Sequence, residues 1–424
     1  MRALPSRLTP WLRLPLISSR FITKFPEKIL MTLSLRLDGS HAFSWTSEMR
    51  SAFAITIVPE KRREAPLDLF VLLDVSGSMN TLDIDPDGID PSMIQGYGVV
   101  DGKEVMYINK AEKKTRLELA LEGIRYLLEK VDPKTRVTLI TFADQVKVLC
   151  RRAPPNVALG YLEEMEPDGN TALHSAIKKA ISLIDEHPAR IILLTDGYPT
   201  DVEDEDEYSK FSLPQFSQMI PIGVGEYNAK IMNRLAERSN GRFYHLNNLE
   251  ELSEILEQER PKPSAGIKVR LNLISEFPLS LINYSAPINI GTIEGVVRIF
   301  GFLNVPPLYS GEILKVRLTY VDTADNREKS IEKSLAVTPA KDVNQFRSGV
   351  NQSVLLEASY YQKMREVQQL IDQGMQVEAT KKIAELGQIA ERTRKQDLIE
   401  STRKMAGTSN PNEISSEITK RMRS

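Results

Sequence analysis

The chain has 424 residues, of which 41% are hydrophobic and 26% are charged, and its formal net charge is −2. This length accommodates two or three domains with cores of their own, and the composition is that of a globular protein rather than a disordered or membrane-spanning one. The nearly neutral charge gives no overall attraction to nucleic acid. The sequence contains no run of about 18 apolar residues, so it predicts no membrane-spanning helix. A single cysteine, Cys150, excludes an intrachain disulfide framework and favours an intracellular protein.

Residues 1–30 are basic and contain prolines, with no acidic side chain before Glu27. Pro10 and Pro15 interrupt the apolar stretches, which makes them a poor signal-peptide core. Two interpretations stay open, a disordered tail and a misassigned extension with the native start at Met31, and both are favoured over a targeting peptide. Residues 31–60 then alternate apolar and polar side chains, which predicts two or three antiparallel strands.

Residues 66–260 alternate strand patterns with helix patterns. The first strand, 67–73, is continuously apolar, and the first helix is delayed to 115–130. This rhythm predicts an α/β fold with a doubly wound, mainly parallel six-stranded sheet, and such sheets bind ligands at the carboxyl ends of their strands. Further strands are predicted at 136–142, 145–150, 190–195, 219–224 and 241–245, the second of these as an antiparallel edge, and further helices at 171–185, 229–238 and 249–258.

The strand pattern returns at 264–340 with turn signals between the strands, which predicts a β-sandwich. Because residues 31–60 also have a strand pattern, we expect them to join this sandwich, so that the α/β domain is inserted into it. Residues 343–405 have a helical period, and the segments 354–372 and 376–405 meet at Gln373-Gly374 as an α-helical hairpin. Residues 406–424 are rich in serine and threonine and are predicted to form a flexible tail.

Oxygen-bearing side chains gather at the predicted strand ends and loops of the α/β domain. Three of them alternate directly after the first central strand, where Gly77 lets the backbone curl. Carboxylates and hydroxyls without nitrogen or sulfur are what a hard divalent cation prefers, Mg²⁺ first and Mn²⁺ or Ca²⁺ as alternatives. The predicted metal site consists of Asp74, Ser76, Ser78, Thr171 and Asp196.

This D-x-S-x-S…T…D set resembles the metal-ion-dependent adhesion site of von Willebrand factor type A (VWA) domains. The resemblance implies that Ser76, Ser78 and Thr171 are direct ligands, while the two aspartates hold charge partly through water. It also implies a protein partner that supplies an acidic residue to the metal. The alternative is that three unrelated loops carry ordinary cap residues.

The order of sandwich strands, VWA domain, sandwich and C-terminal helices resembles the archaeal VWA proteins of the archaellum regulatory network. Heavy chains of the inter-α-trypsin inhibitor type look similar. The archaeal resemblance implies phosphorylation by a Ser/Thr kinase and a forkhead-associated (FHA) domain partner that reads phosphothreonine. Thr408 and Thr419 are the candidate acceptors, and an unmodified tail stays open as the alternative.

Two other signals are weighed against simpler explanations. Residues 83–88 match the opening of an EF-hand calcium loop, but Ile94 stands where the bidentate glutamate belongs, so a solvated acidic loop is favoured. A second acidic run, 201–207, either shapes partner choice or is a solvated rim. The only histidine of these loops, His174, lies on a predicted helix and is interpreted as a packed or exposed residue.

No nucleotide-binding glycine motif occurs in the sequence, and no general base accompanies the metal site, so we do not expect an enzyme. The sequence predicts a cytoplasmic adaptor that binds protein partners through a Mg²⁺-dependent site and is regulated by phosphorylation in motility control. The alternatives are an extracellular adhesion protein and a VWA subunit of an AAA+ ATPase complex. A cleaved N-terminus in a membrane or secreted fraction would favour the first alternative, and co-purification with an ATPase would favour the second.

Overall fold

The structure, a computed structural model, describes residues 31–82, 91–100, 103–108, 114–163 and 165–423. From Thr32 onward the chain forms one compact unit. The predictions for residues 1–30 and for the EF-hand-like segment 83–88 lie outside the described residues. Among the described residues, no helix is both long and apolar enough to cross a membrane.

The described part opens with three strands that belong to a sandwich completed far downstream. They are β1 (Leu33–Gly39), β2 (Phe43–Ser44) and β3 (Met49–Pro59). β1 pairs with β3 in antiparallel register, and apolar side chains of both strands, Leu33, Leu35, Phe53, Ile55 and Ile57, are buried in one core cluster. This is the pattern of strands with one face on a core.

The central domain follows, between β3 and the rest of the sandwich. Its strands are β4 (Asp68–Asp74), β5 (Ile94–Val100), β6 (Lys103–Ile108), β7 (Arg136–Phe142), β8 (Val146–Ala153), β9 (Ala189–Thr195), β10 (Ser217–Val224) and β11 (Tyr244–Leu246). Its helices are α1 (Arg116–Lys130), α2 (Pro155–Leu159), α3 (Leu173–Leu183), α4 (Glu205–Tyr208), α5 (Ala229–Arg238) and α6 (Leu252–Glu259).

Six of these strands form the main sheet in the order β11-β10-β9-β4-β7-β8. All neighbouring pairs are parallel except β7 and β8, which form the predicted antiparallel edge. Every residue of β4 and β9 is buried, because helices cover both faces of the sheet. The predicted α/β fold class is confirmed.

The segment between β4 and α1 contains a separate two-stranded hairpin, formed by β5 and β6, which was not predicted from the sequence. Gly96 and Gly98 interrupt the apolar pattern of β5, which hid the strand signal. The base of this insertion is held where Leu82 bridges Thr115 and where the backbone N–H of Arg116 donates to Thr81 O at 2.9 Å.

The sandwich resumes with β12 (Gly266–Ile274), β13 (Leu279–Leu281), β14 (Ile288–Thr292), β15 (Val297–Val305), β16 (Gly311–Asp322) and β17 (Glu328–Pro339). One sheet has the order β1-β3-β15-β13 and the other β14-β12-β16-β17-β2. β15 pairs with β3 over nine positions, from Val297–Ile57 to Val305–Met49. The N-terminal strands are therefore integral to the sandwich, and the α/β domain is inserted into it.

Five helices complete the chain: α7 (Val343–Ser348), α8 (Gln352–Asp372), α9 (Gln376–Thr393), α10 (Gln396–Ala406) and α11 (Pro411–Met422). α8 and α9 form the predicted hairpin. The prediction of one continuous helix over 376–405 is wrong. Arg394 adopts a left-handed conformation at φ 57° and separates α9 from α10.

The prediction of a flexible tail over 406–424 is also wrong for residues 411–422, which form α11. Asn410 caps this helix, and Pro411 occupies its first turn, where a missing N–H costs nothing. Ile414, Ile418 and Met422 recur at helical spacing and are buried in the core shared with α8 and β3. The polar residues between them concealed this apolar stripe in the sequence.

Candidate metal site

Three loops meet at the carboxyl end of the two central strands, β4 and β9. Asp74 is the last residue of β4, and Asp196 directly follows the last residue of β9. These strands are adjacent and parallel, so their ends lie side by side. The third loop is tied to the first by two backbone hydrogen bonds, from Gly77 N to Gly169 O and from Asp168 N to Val75 O, each 2.9 Å long.

The five predicted side chains come together as one hydroxyl–carboxylate cluster, a name kept here for Asp74, Ser76, Ser78, Thr171 and Asp196. The Ser76 and Ser78 Oγ atoms are 3.1 Å apart, and Ser78 Oγ donates to Asp196 Oδ1 at 2.7 Å. A β-carbon at Gly197 would lie 3.0 Å from Thr171 Oγ1 and 3.6 Å from Ser78 Oγ. The two hydroxyls therefore border the same point beside Gly197.

Asp74 is held from two directions. Its Oδ1 accepts from the backbone N–H of Ser76 at 2.8 Å, and its Oδ2 accepts from Thr195 Oγ1 at 2.5 Å. Thr195 is a site residue that the sequence analysis missed. Its place beside Asp196 at the buried end of β9 was the available signal.

Thr171 lies in the turn before α3 rather than on the helix, which begins at Leu173. Its backbone N–H donates to Thr200 Oγ1 at 3.0 Å, and its carbonyl accepts from Thr200 N at 3.0 Å. Upstream, Gly169 takes a positive φ of 75°, and Asp144 Oδ1 accepts from Asn170 N at 2.9 Å. Backbone hydrogen bonds thus fix the threonine without using its hydroxyl.

The charges of the cluster favour a cation. Asp74 is fully buried and Asp196 nearly so, and burial together with the neighbouring Asp196 carboxylate raises the pKa of Asp74 to about 7. Two carboxylates and three hydroxyls are hard oxygen donors, so this donor set fits Mg²⁺ or a similar ion. Within the described part of the chain no three His, Cys, Asp or Glu side chains are grouped for a metal ion, and the other oxygen donors of this cluster are hydroxyls.

Arg116 is a second site residue that the sequence analysis missed. Its Nη1 donates to Asp196 Oδ2 at 2.8 Å, and its guanidinium lies against Gly225, where a β-carbon would be 2.6 Å from Nη2. Arg116 is the first residue of α1 and lies 80 positions before Asp196. No local pattern in the sequence connects the two.

The acidic run after Asp196 is used within the domain. Asp201 accepts from the backbone N–H groups of His174 at 3.2 Å and Ser175 at 2.8 Å and so caps the first turn of α3. Asp204 caps α4, and Asp206 pairs with Arg234 at 3.0 Å. These contacts give the run a structural role in place of a purely solvated rim.

His174 packs against aromatic side chains. Its ring centroid lies 5.4 Å from that of Tyr208 and 4.6 Å from that of Phe211. This is the packed-residue interpretation of the sequence analysis.

The fold and the cluster together define a protein of the VWA class, and residues 69–198 match the family model of the von Willebrand factor type A domain. Residues 352–424 match that of the archaellum regulatory network B (ArnB) C-terminal domain. The chain is 30% identical to the ArnB paralog VWA2 from Sulfolobus acidocaldarius, with a TM-score of 0.74 over 92% of this chain and 98% of that one. The chain belongs to the ArnB family.

A second solved structure is similar to this chain in its fold only. A von Willebrand factor type A protein from Catenulispora acidiphila is 13% identical, with a TM-score of 0.59 over 89% of this chain and 91% of that one. VWA domains are in general interaction modules rather than enzymes. Membership of the family therefore supports an interaction and regulatory role for this chain.

Proposed function

We propose that this protein is a cytoplasmic adaptor of archaellum regulation that binds a protein partner through a divalent cation, most favourably Mg²⁺, held by the hydroxyl–carboxylate cluster. One observation carries the proposal: side chains from three distant loops converge at one edge of the central sheet with oxygen donors only. Ser76, Ser78 and Thr171 would hold the cation, and Asp74 and Asp196 would supply the negative charge. A bound cation provides a positive charge at which an acidic side chain of the partner can complete the coordination.

Family membership supports the regulatory side of this proposal. Similarity to a paralog of an archaellum regulatory protein favours an adaptor over an extracellular adhesion protein or an ATPase subunit. The fixed backbone of the Thr171 turn supports the binding side, because a preorganised set of donors loses little freedom when the cation binds.

Phosphorylation is the second part of the proposal, and the difference in exposure between the two candidate threonines favours one of them. Thr408 lies in the loop between α10 and α11 and is partly exposed, whereas Thr419 is buried. A Ser/Thr kinase can reach Thr408 with α11 in place but not Thr419. We therefore assign Thr408 as the phosphothreonine that an FHA-domain partner would read through its arginine side chains.

The metal proposal is tested by a pull-down from native lysate with Mg²⁺ and with EDTA, using the wild type and Asp74→Ala. We expect at least one partner to be lost in EDTA and with the variant, while circular dichroism stays unchanged. Asp206→Ala is the matched control, since it removes an exposed carboxylate outside the cluster and should keep the partner. Retention of every partner in EDTA and by Asp74→Ala would show that the metal is not the docking point.

The phosphorylation proposal is tested by mapping phosphate on protein isolated from its native cells. We expect phosphate at Thr408 and loss of FHA-domain binding in Thr408→Ala, with Ser409→Ala as the neighbouring control. A chain without phosphate at 407–424, or FHA binding that survives Thr408→Ala, would contradict this part and leave the metal site unaffected.

A further inference from the structure

A positively charged side chain, Arg116, lies next to the hydroxyl–carboxylate cluster. Arg116 Nη1 lies 2.8 Å from Asp196 Oδ2, and the side chain of Asp196 is fully buried while that of Arg116 is 19% exposed. The other oxygen of Asp196 already accepts from Ser78 Oγ at 2.7 Å. Both oxygens of this carboxylate are therefore engaged inside the protein.

The position of the guanidinium is built into the fold rather than chosen by a mobile surface side chain. Thr115 and Glu118 form a capping box that fixes the start of α1, and the backbone N–H of Arg116 donates to Thr81 O. On the far side the guanidinium rests on Gly225, whose positive φ of 68° and missing side chain leave room for it. The planar fork is thus held between Gly225 and Asp196.

This arrangement changes the charge that a metal ion meets. Asp74 and Asp196 together carry two negative charges when ionised, and the guanidinium neutralises one of them. A divalent ion held by the hydroxyls next to Asp196 has to share that carboxylate with Arg116 or be repelled by it. In a buried site such a like-charge contact is screened far less than it would be in water.

We propose that Arg116 is a tethered cation that weakens divalent metal binding at the cluster and holds the metal-free site together. This inference rests on the proposed metal site and deepens it. The partner's carboxylate then has a defined effect: it adds the negative charge that Arg116 removes, so metal and partner bind more tightly together than either does alone. Arg116 is a positioning residue that acts through Asp196.

The experiment is a calorimetric titration of the full chain with Mn²⁺ alone, comparing wild type, Arg116→Gln and Arg116→Lys. Loss of the charge in Arg116→Gln should tighten Mn²⁺ binding about tenfold, and Arg116→Lys should stay within about threefold of wild type because it keeps the charge. Arg125→Gln makes the same charge change further along α1 and should leave the affinity unchanged. Thermal unfolding in EDTA should show Arg116→Gln less stable than wild type, with a larger gain on adding Mn²⁺.

The outcomes separate this inference from the proposed function. If wild type binds Mn²⁺ and Arg116→Gln binds it no more tightly, Arg116 does not tune the site and the metal-site proposal stands. If neither protein binds Mn²⁺, the metal site itself is refuted, and this inference with it. Should Arg116→Gln fail to fold, Arg116→Lys decides: binding tightened about tenfold by a variant that keeps the charge would overturn the charge argument.

Discussion

Two regions of the central domain use serine and threonine hydroxyls at an edge of the same sheet, and they use them in opposite ways. One is the hydroxyl–carboxylate cluster at the carboxyl ends of β4 and β9. The other is the contact of α11 with the edge strand β11, defined by Ser416, Thr419 and the backbone of Phe243 and His245 and called the C-terminal seam. The seam joins the last helix of the chain to the VWA domain.

At the seam, every hydroxyl has a backbone partner. Thr419 Oγ1 accepts from Phe243 N at 3.1 Å and lies 3.0 Å from Phe243 O, to which it donates. Ser416 Oγ accepts from His245 N at 3.1 Å. These contacts take the place of a neighbouring strand and protect an edge that would otherwise expose unpaired backbone groups.

At the cluster, acceptors outnumber donors. Two carboxylates and three hydroxyls face one another, and the Asp196 carboxylate adds to the effect of burial in raising the pKa of Asp74. The comparison of the two regions shows that serine and threonine hydroxyls are structural where backbone groups satisfy their hydrogen-bonding capacity, as at the seam. Where an excess of oxygen acceptors remains, as at the cluster, we propose that they form a binding site for a cation.

The largest effect is expected from a variant that introduces a charge into the seam. Thr419→Glu would place a carboxylate beside the carbonyl of Phe243 in a site where Thr419 is 5% exposed. We expect a loss of about 4 kcal/mol in the free energy of unfolding, or undocking of α11 when that costs less. Urea denaturation measures the first, and amide hydrogen exchange over 411–422 measures the second.

Thr408→Glu is the matched control, because it introduces the same charge into the partly exposed loop before α11. It should change the free energy of unfolding by less than about 0.5 kcal/mol. Equal effects of the two variants would mean that α11 is not held by the seam in solution, and the contrast between the two regions would fail.

The next test concerns a buried ion pair beside the seam. Glu259 Oε1 accepts from Arg242 Nη1 at 2.9 Å, and Arg242 Nη2 donates to the carbonyl of Arg423 at 3.1 Å, just past α11. Burial by itself would raise the pKa of Glu259, but the guanidinium groups of Arg242 and Arg190 and the Tyr244 hydroxyl outweigh it and hold the pKa below its ordinary value. Glu259→Gln should cost about 3 kcal/mol at pH 7 because it leaves the half-buried guanidinium of Arg242 without its counter-charge.

The sign of the pH dependence follows from that lowered pKa. The unfolded chain has a glutamate pKa of about 4.3, so the stabilisation by Glu259 is complete above that pH and disappears as pH falls through the lower folded value. The difference between wild type and Glu259→Gln should therefore shrink below about pH 4. Glu257→Gln removes a more exposed carboxylate of the same helix as a control, and a pH-independent difference for Glu259→Gln would contradict the ion-pair argument.

The sequence was sufficient to predict the cluster and insufficient to predict the seam, for a physical reason. Asp74 ends a buried strand, Ser76 and Ser78 follow it at fixed short spacing, and Asp196 follows another buried strand, so the topology of a parallel sheet brings these four together. Thr419 finds its partner Phe243 across 176 positions, and nothing near either residue indicates the other. Arg116 escaped prediction in the same way, since its ion pair with Asp196 depends on the tertiary placement of α1.

The C-terminal helix shows how a compositional signal misleads. The serines and threonines of 406–424 suggested a mobile, modifiable tail, because polar residues outnumber apolar ones there. The apolar stripe of Ile414, Ile418 and Met422 is short, but it packs into a core already formed by α8 and β3. Tertiary packing stabilised a helix that local composition did not favour.

The smallest effect is expected from the pair of substitutions that compares the two regions most directly. Thr419→Val keeps the shape of the side chain but removes the hydroxyl that serves both Phe243 N and Phe243 O. It should cost about 1–2 kcal/mol in the free energy of unfolding, with or without metal, because the buried N–H of Phe243 loses its acceptor while Phe243 O keeps the Ser416 hydroxyl as a donor. Ser76→Ala removes a hydroxyl that lies 3.1 Å from Ser78 Oγ and also hydrogen-bonds to the Asp74 carboxylate.

In EDTA, Ser76→Ala should change the free energy of unfolding by less than about 0.5 kcal/mol, since Asp74 keeps its hydrogen bonds from Ser76 N and Thr195 Oγ1 and Ser78 keeps its bond to Asp196. In Mn²⁺ it should lack the stabilisation that the wild type gains on binding the ion, because bound metal stabilises only a protein that can hold it. Urea denaturation of both variants in both conditions measures the four values. If Ser76→Ala lowered the free energy of unfolding as much as Thr419→Val does, with and without metal, the contrast would fail. Ser76 would then stabilise the fold in the same way as Thr419 and would not be a residue reserved for binding a cation.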